Sequence, residues 1–109
     1  MDITTSATNG KAVLSLRGRF DFQSHQTARE AFKKAMVDAN IKEIEFDLAA
    51  VDYIDSTALG TLLLCRINAT DDGKVVSLGR ATGAVKQVLD TMNFNKLFAI
   101  NRPHMPRPS

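Results

Sequence analysis

Two carboxylates and two aliphatic hydroxyls, those of Asp52, Asp55, Ser56 and Thr57, crowd into six residues of this chain, and they carry most of its chemistry. A serine or threonine hydroxyl can accept a phosphoryl group, and nearby carboxylates then shape the field around the added charge. Clustered aspartates can also hold a hard cation such as Mg²⁺. The same residue types are the ordinary turn formers and caps ahead of a helix. A capping box, however, asks for Glu or Gln three residues on, whereas Ser56 is followed by Leu59 and Asp55 by Ala58. Helix-start chemistry therefore leaves part of the motif unexplained.

Other catalytic arrangements are harder to assemble. The two histidines, His25 and His104, lie far apart, and Cys65 is the one cysteine, so zinc-ligand spacing is absent from the sequence. No nucleophile elbow, phosphate-binding loop or dinucleotide glycine pattern occurs. Cys65 lies in an apolar helical run and reads as a buried, inert thiol. The expectation is a protein that is not an enzyme and uses no cofactor.

The elements that must position these residues follow from periodicity. Glu43-Ile44-Glu45-Phe46-Asp47-Leu48 alternates strictly and predicts a strand that buries Ile44, Phe46 and Leu48 on one face. An apolar run from Leu59 to Ile67 follows Ser56 and predicts a helix burying Leu59, Leu62, Leu63 and Ile67. A strand that runs through Asp55-Ser56-Thr57 into a helix sets Ser56 at the helix N-terminus. There unpaired backbone N–H groups and the helix dipole favour an anion. Gly60 weakens such a helix by about 1 kcal/mol relative to alanine, which suggests a close approach of helix to sheet.

Upstream, Ile3 to Thr8 predicts a short strand and Asn9-Gly10 a tight hairpin turn, because both residues tolerate positive φ. Ala12 to Leu16 predicts the second strand, ended by Gly18, and Ser24 can cap the next helix. From Gln26 to Asn40, Ala28, Ala31, Phe32, Ala35, Met36 and Ala39 form one apolar stripe of an amphipathic helix. Downstream, Asp71 to Lys74 predicts a turn, and Val75 to Leu78 a strand ended by Gly79. A helix from Thr82 or Gly83 with Val85, Val88, Leu89 and Met92 on one face is broken by Asn93, and an edge strand at Leu97–Ile100 follows. The order β-β-α-β-α-β-α-β implies an α/β fold with a mixed, mostly parallel sheet of four to five strands. In open sheets of this kind chemistry gathers at the carboxyl ends of the strands. Asp21 and Ser56 both follow such ends, so they meet if their strands are neighbours.

The stretch Tyr53-Ile54-Asp55-Ser56-Thr57-Ala58-Leu59-Gly60-Thr61-Leu62-Leu63 resembles the phosphorylation motif of STAS domains, the family of bacterial anti-sigma factor antagonists. That family's common form is Asp-Ser-Ser/Thr-Gly-Leu-Gly. Leu16-Arg17-Gly18-Arg19-Phe20-Asp21 resembles its Gly-x-Leu/Ile-Asp at the end of the second strand. The resemblance implies a single STAS domain over residues 1–100, with Ser56 as phosphoacceptor and Thr57 as the lesser alternative. It places Asp21 beside the acceptor, with Asp55, Thr57, Ala58 and Gly60 completing its surroundings. Ala58 stands where glycine is commoner, a mild change in a first helical turn. The implied partners are an anti-sigma factor that doubles as a GHKL-type serine kinase and a PP2C-like phosphatase. The unphosphorylated form would bind the anti-sigma factor and so release a sigma factor. Other STAS domains serve as docking subunits of membrane transport complexes or sensory assemblies, which is the rival role. Nucleotide binding or weak hydrolysis at the same strand edge is another.

At 109 residues with 44% hydrophobic and 24% charged residues, the chain is sized for one domain with one core. A net charge of +2 with dispersed basic residues argues against a nucleic-acid surface. The apolar run from Ala58 to Cys65 is far shorter than the ~20 residues a bilayer requires, so no membrane insertion is expected. Met1 to Thr5 lacks a secretory pattern, and a lone cysteine suits a reducing compartment, so a cytoplasmic location is expected. Residues 101–109, with three prolines, read as a flexible tail.

Overall fold

Asn9 and Gly10 turn the chain back with φ of 52° and 80°, the pair of positive values that a tight hairpin of this type demands. This is the first feature of the computed structural model, which describes residues 1–101. The turn joins β1 (Asp2–Thr8) to β2 (Lys11–Phe20), and the two pair antiparallel from Asp2↔Arg17 to Thr8↔Lys11. There follow α1 (His25–Met36), β3 (Glu43–Ile54), α2 (Ser56–Asp71), β4 (Val75–Gly79), α3 (Gly83–Thr91), α4 (Phe94–Leu97) and β5 (Ala99–Asn101). The sheet runs β1-β2-β3-β4-β5, with every pairing after the first parallel. The expected mixed, mostly parallel α/β fold is thus the one observed. The short α4 was not anticipated, and it takes Leu97 out of the last strand. Residues 102–109, most of the tail inferred above, lie outside the described residues.

Alternation decides which face of the sheet is covered. Ala12, Leu14, Leu16, Ile44, Phe46, Leu48, Val76 and Leu78 are buried, and Phe32 of α1 stacks on Phe46 at 6.0 Å between ring centres. α1 carries Ala28, Phe32 and Ala35 into the core but ends at Met36, so Ala39 is exposed beyond it. α2 departs from the expected face. Its buried residues are Ala58, Leu59, Thr61, Leu62, Cys65 and Ala69, while Ile67 is half exposed and Leu63 only partly covered. The helix is apolar all round, so its sequence had no contrast from which to read a face. Gly60 is also corrected: a Cβ built there meets nothing within 4 Å, so no close helix–sheet approach requires it.

On the opposite face of the strands Glu45 and Asp47 are also buried. Buried charge is tolerated only when paired and hydrogen-bonded. Glu45 takes an ion pair from Lys11 at 2.8 Å. Asp47 receives Arg80 in a two-nitrogen contact at 2.5 and 3.3 Å, along with Ser15 Oγ at 3.4 Å. Its other service is to the backbone. β2 and β3 slip register between Ser15 and Arg17 and again between Gly18 and Arg19, each time with an extra residue on β3. At the first slip the Ala49 N–H turns to Asp47 Oδ1 at 3.1 Å. Gly18, at φ 102°, lets β2 continue through the second irregularity to Phe20 instead of ending there.

Lys74 is a further surprise in what had read as a plain turn. It is buried, and its ammonium donates to the carbonyls of Asp38 (3.0 Å) and Ile41 (2.7 Å), binding the end of α2 to the chain that follows α1.

Two stability predictions follow from this polar layer. Burial pushes the Asp47 carboxyl up, but the Arg80 guanidinium, the Ala49 N–H and Ser15 outweigh it and leave the group below its ordinary 3.8. A depressed carboxyl adds stability that is complete above the unfolded value and fades as pH falls through the folded one. Asp47→Ala should cost about 1–3 kcal/mol at neutral pH by urea unfolding, and the gap from the parent should narrow below pH 3.8. Gly79→Ala should lose a similar amount, about 1–3 kcal/mol, because the new methyl would overlap the buried Glu45 carboxylate lying over it.

Candidate functional site

β2 and β3 end in step, Phe20 opposite Ile54, so Asp21 and Asp55 leave the sheet side by side. Neighbouring strands were the one condition needed to bring Asp21 toward the Asp55-Ser56 turn, and the topology meets it. Asp55 then does two jobs with one carboxylate. Oδ1 accepts the Ala58 N–H at 2.9 Å, which makes Asp55, and not Ser56, the N-cap of α2. Oδ2 accepts the Phe22 N–H at 3.0 Å, and the Asp55 N–H donates to Phe20 O at 3.3 Å. The loop after β2 is thereby tied to the start of α2.

Ser56 is the first residue of α2 and is exposed. Thr57 beside it is half-buried, and its carbonyl accepts the Thr61 hydroxyl at 2.9 Å. Ala58 is fully buried, so its methyl joins the core, and Gly60 leaves an open surface one turn beyond Ser56. Asp52 is exposed and does not line the hollow described next.

Asp21 organises the loop on the β2 side. Its Oδ1 accepts the Gln23 N–H (3.1 Å), the Ser24 N–H (3.2 Å) and the Ser24 hydroxyl (3.2 Å), and its Oδ2 meets Arg19 Nε at 3.3 Å. Burial raises the Asp21 carboxyl, but these donors, Arg19 and Ser24 foremost, prevail and hold it below the usual 3.8. Ser24 is the N-cap of α1, although its hydroxyl donates to Arg19 O at 2.7 Å and not to the helix. His25 Nδ1 lies 2.6 Å from Phe22 O, so that nitrogen carries the hydrogen and donates.

Together these residues frame a shallow hollow of about 340 Å³ lined by Arg19, Asp21, Phe22, Gln23, Tyr53 and Asp55. Four of its members, Arg19, Phe22, Gln23 and Tyr53, escaped the sequence reading as site residues. Arg19 lies over the Tyr53 ring with its central carbon 4.0 Å from the ring centre, a cation–π contact. Phe22 and Tyr53 are both exposed, which is unusual for large aromatic side chains beside a polar turn. The register Arg19↔Tyr53 that joins them depends on the two strand irregularities, and only a pairing map could have supplied it.

The family described as "Mlab, STAS domain" matches residues 3–100. A STAS-domain containing protein of Pseudomonas aeruginosa (strain UCBPP-PA14) is 34% identical over 96 residues, covering 88% of this chain and 93% of the relative. Among solved structures, the anti-sigma factor antagonist SpoIIAA in its unphosphorylated form superposes with a TM-score of 0.79 at 14% identity, over 94% of this chain and 89% of that one. The Bacillus SpoIIAA has also been solved in a phosphorylated form, which superposes with a TM-score of 0.73 at 13% identity, over 94% and 92%. A sulfate transporter family protein of Wolinella succinogenes superposes with a TM-score of 0.73 at 14% identity, over 89% and 81%. At such identities these likenesses report the fold.

Two substitutions test the local architecture. Asp55→Ala should lower stability by about 1–2 kcal/mol in urea unfolding, because it removes the α2 cap and strands the Phe22 N–H. Gly60→Ala should raise stability by up to about 1 kcal/mol, since nothing occupies the space its methyl would enter.

Proposed function

Because the chain belongs to the STAS-domain family, we propose that it is an anti-sigma factor antagonist whose partner binding is switched by phosphorylation of Ser56. The observation that supports this most is the placement of Ser56. The hydroxyl is exposed at the first residue of a helix, on the strand edge where the two motif aspartates converge. A kinase can reach it without unfolding the domain.

In this reading the chain is a substrate and not a catalyst. An anti-sigma factor of the GHKL kinase type transfers the γ-phosphoryl group of ATP to Ser56 Oγ. The new O–P bond forms as the bond to ADP breaks, and the hydroxyl proton passes to a base on the kinase. A PP2C-like phosphatase restores the serine with water. The unmodified form binds the anti-sigma factor and releases the sigma factor. Phosphorylation adds about −1.5 to −2 charge close to the motif aspartates. A like charge brought by a partner to about 6 Å would cost roughly 2–3 kcal/mol at an effective dielectric near 20. A loss of about 1.4 kcal/mol already weakens binding tenfold, so a phosphate can release a partner while the fold stays intact. Ser56 is preferred over Thr57 because Thr57 is the more covered of the two.

The likeness to a sulfate transporter family protein supports a second reading, a docking subunit of a membrane transport complex. No helix among the described residues is long and apolar enough to cross a membrane, so in that role the chain would bind a separate membrane subunit. Incubation with ATP and a candidate GHKL-type kinase, followed by mass measurement, separates the two. One added phosphoryl group, absent from Ser56→Ala, supports the switch. In binding assays Ser56→Ala should hold the partner as the parent does, and Ser56→Asp should weaken it tenfold or more. Equal affinity for Ser56→Asp would overturn the charge argument.

A further inference from the structure

The hollow lined by Asp55, the residue before Ser56, holds a single cation among its six lining residues, Arg19, and that cation is loosely held. Its side chain is 62% exposed, and among the described residues its only ion pair is the 3.3 Å contact from Nε to Asp21. Asp21 keeps donors of its own on Oδ1, the Gln23 and Ser24 N–H groups, so the Arg19 contact, which serves Oδ2, can be given up without stripping the carboxylate of every partner. Asp55, the other carboxylate in the hollow, has each oxygen engaged by a backbone N–H and offers Arg19 no established partner. What remains is the face of Tyr53, a contact worth only about 0.5–1 kcal/mol at an exposed site.

A guanidinium so placed would move to a stronger anion within reach. Arg19 stands opposite Tyr53 in the strand register, and Ser56 is three residues farther along, at most ~10 Å of extended chain. Arginine's planar fork fits a phosphate with two parallel hydrogen bonds, the stronger class of contact. We propose that Arg19 is the receiver of the Ser56 phosphate: on phosphorylation its guanidinium leaves Asp21 and the Tyr53 ring and clamps the phosphoserine. The modification then does more than add negative charge. It uncovers the Tyr53 face and removes the one cation from the hollow's docking surface. The inference rests on the reading of Ser56 as the phosphoacceptor.

The composition supplies a convenient reporter. Tyr53 is the sole tyrosine and tryptophan is absent, so the tyrosine emission of the protein reports on this ring alone. The test uses full-length protein with phosphoserine placed at position 56 during translation, in parent, Arg19→Lys and Arg19→Gln backgrounds. A nearby cation favours the phosphate dianion, so ³¹P NMR titration should give the parent a second phosphate pKa below the ordinary ~6. Arg19→Gln should return it upward by on the order of half a unit, with Arg19→Lys in between. Tyr53 emission should change on phosphorylation in the parent and stay constant in Arg19→Gln. Superimposable phosphate titrations in parent and Arg19→Gln, or Tyr53 emission indifferent to phosphorylation in the parent, would overturn the proposal. Thermal unfolding of each variant confirms that it is folded before the spectra are compared. Because the phosphate is installed without a kinase, a negative result here leaves the Ser56 assignment standing. A failure of Ser56 to be phosphorylated by any kinase would instead undo the assignment and leave these spectra unchanged.

Discussion

One carboxylate, that of Asp55, joins the two halves of the site. Its first oxygen caps α2 and its second holds the loop that leaves β2, while its own N–H bonds back to Phe20. Negative charge at a helix N-terminus is favoured by the dipole as well as by the unpaired N–H groups, so cap and charge act together. The loop in turn carries Asp21, Phe22 and Ser24, whose hydrogen bonds close around the start of α1. Ser56 is thus presented from a rigid base, immediately after the residue that fixes it.

That base depends on how β3 is built. Twelve residues long, it outruns β4, which pairs only with Glu43 to Asp47. The remainder pairs with β2 alone, through two irregularities that shift which side chains face inward. Val51 and Ile54 stay buried while Asp52 and Tyr53 come out together. The register break is supported by Asp47, whose carboxylate serves both the bulged backbone and Arg80. Arg80 holds a left-handed φ of 56°, a conformation that an L-residue rarely keeps without such a partner. Among the described residues no buried side-chain nitrogen or oxygen lacks a hydrogen-bond partner, so this polar layer is tolerated without loss.

Where the sequence reading succeeded, the signal was local. Strict alternation from Glu43 to Leu48, the Asn9-Gly10 turn, the stripe Ala28-Phe32-Ala35 and the break at Asn93, which adopts φ 60°, each depend on a few adjacent residues. It faltered where pattern was missing or misleading. The run from Leu59 to Ile67 is apolar on every side, so the buried stripe of α2 was misread. Gly18 was taken as a strand end because glycine commonly is one, yet here it serves a mid-strand irregularity. Lys74 looked like a turn residue, and its burial is explained only by carbonyls contributed from Asp38 and Ile41, more than thirty positions earlier in the chain.

Backbone periodicity and short motifs by themselves determined the element order, the sheet class and the single core. These follow from steric and hydrophobic preferences that act within a turn or two of chain. The tertiary structure alone decided that Asp55 caps while Ser56 is exposed, that Gly60 faces open space, and that Arg19 rests on Tyr53. The last of these depends on pairing between segments more than thirty residues apart. Such pairing is set by strand register and by the bulges that alter it, and neither leaves a periodic mark in the sequence.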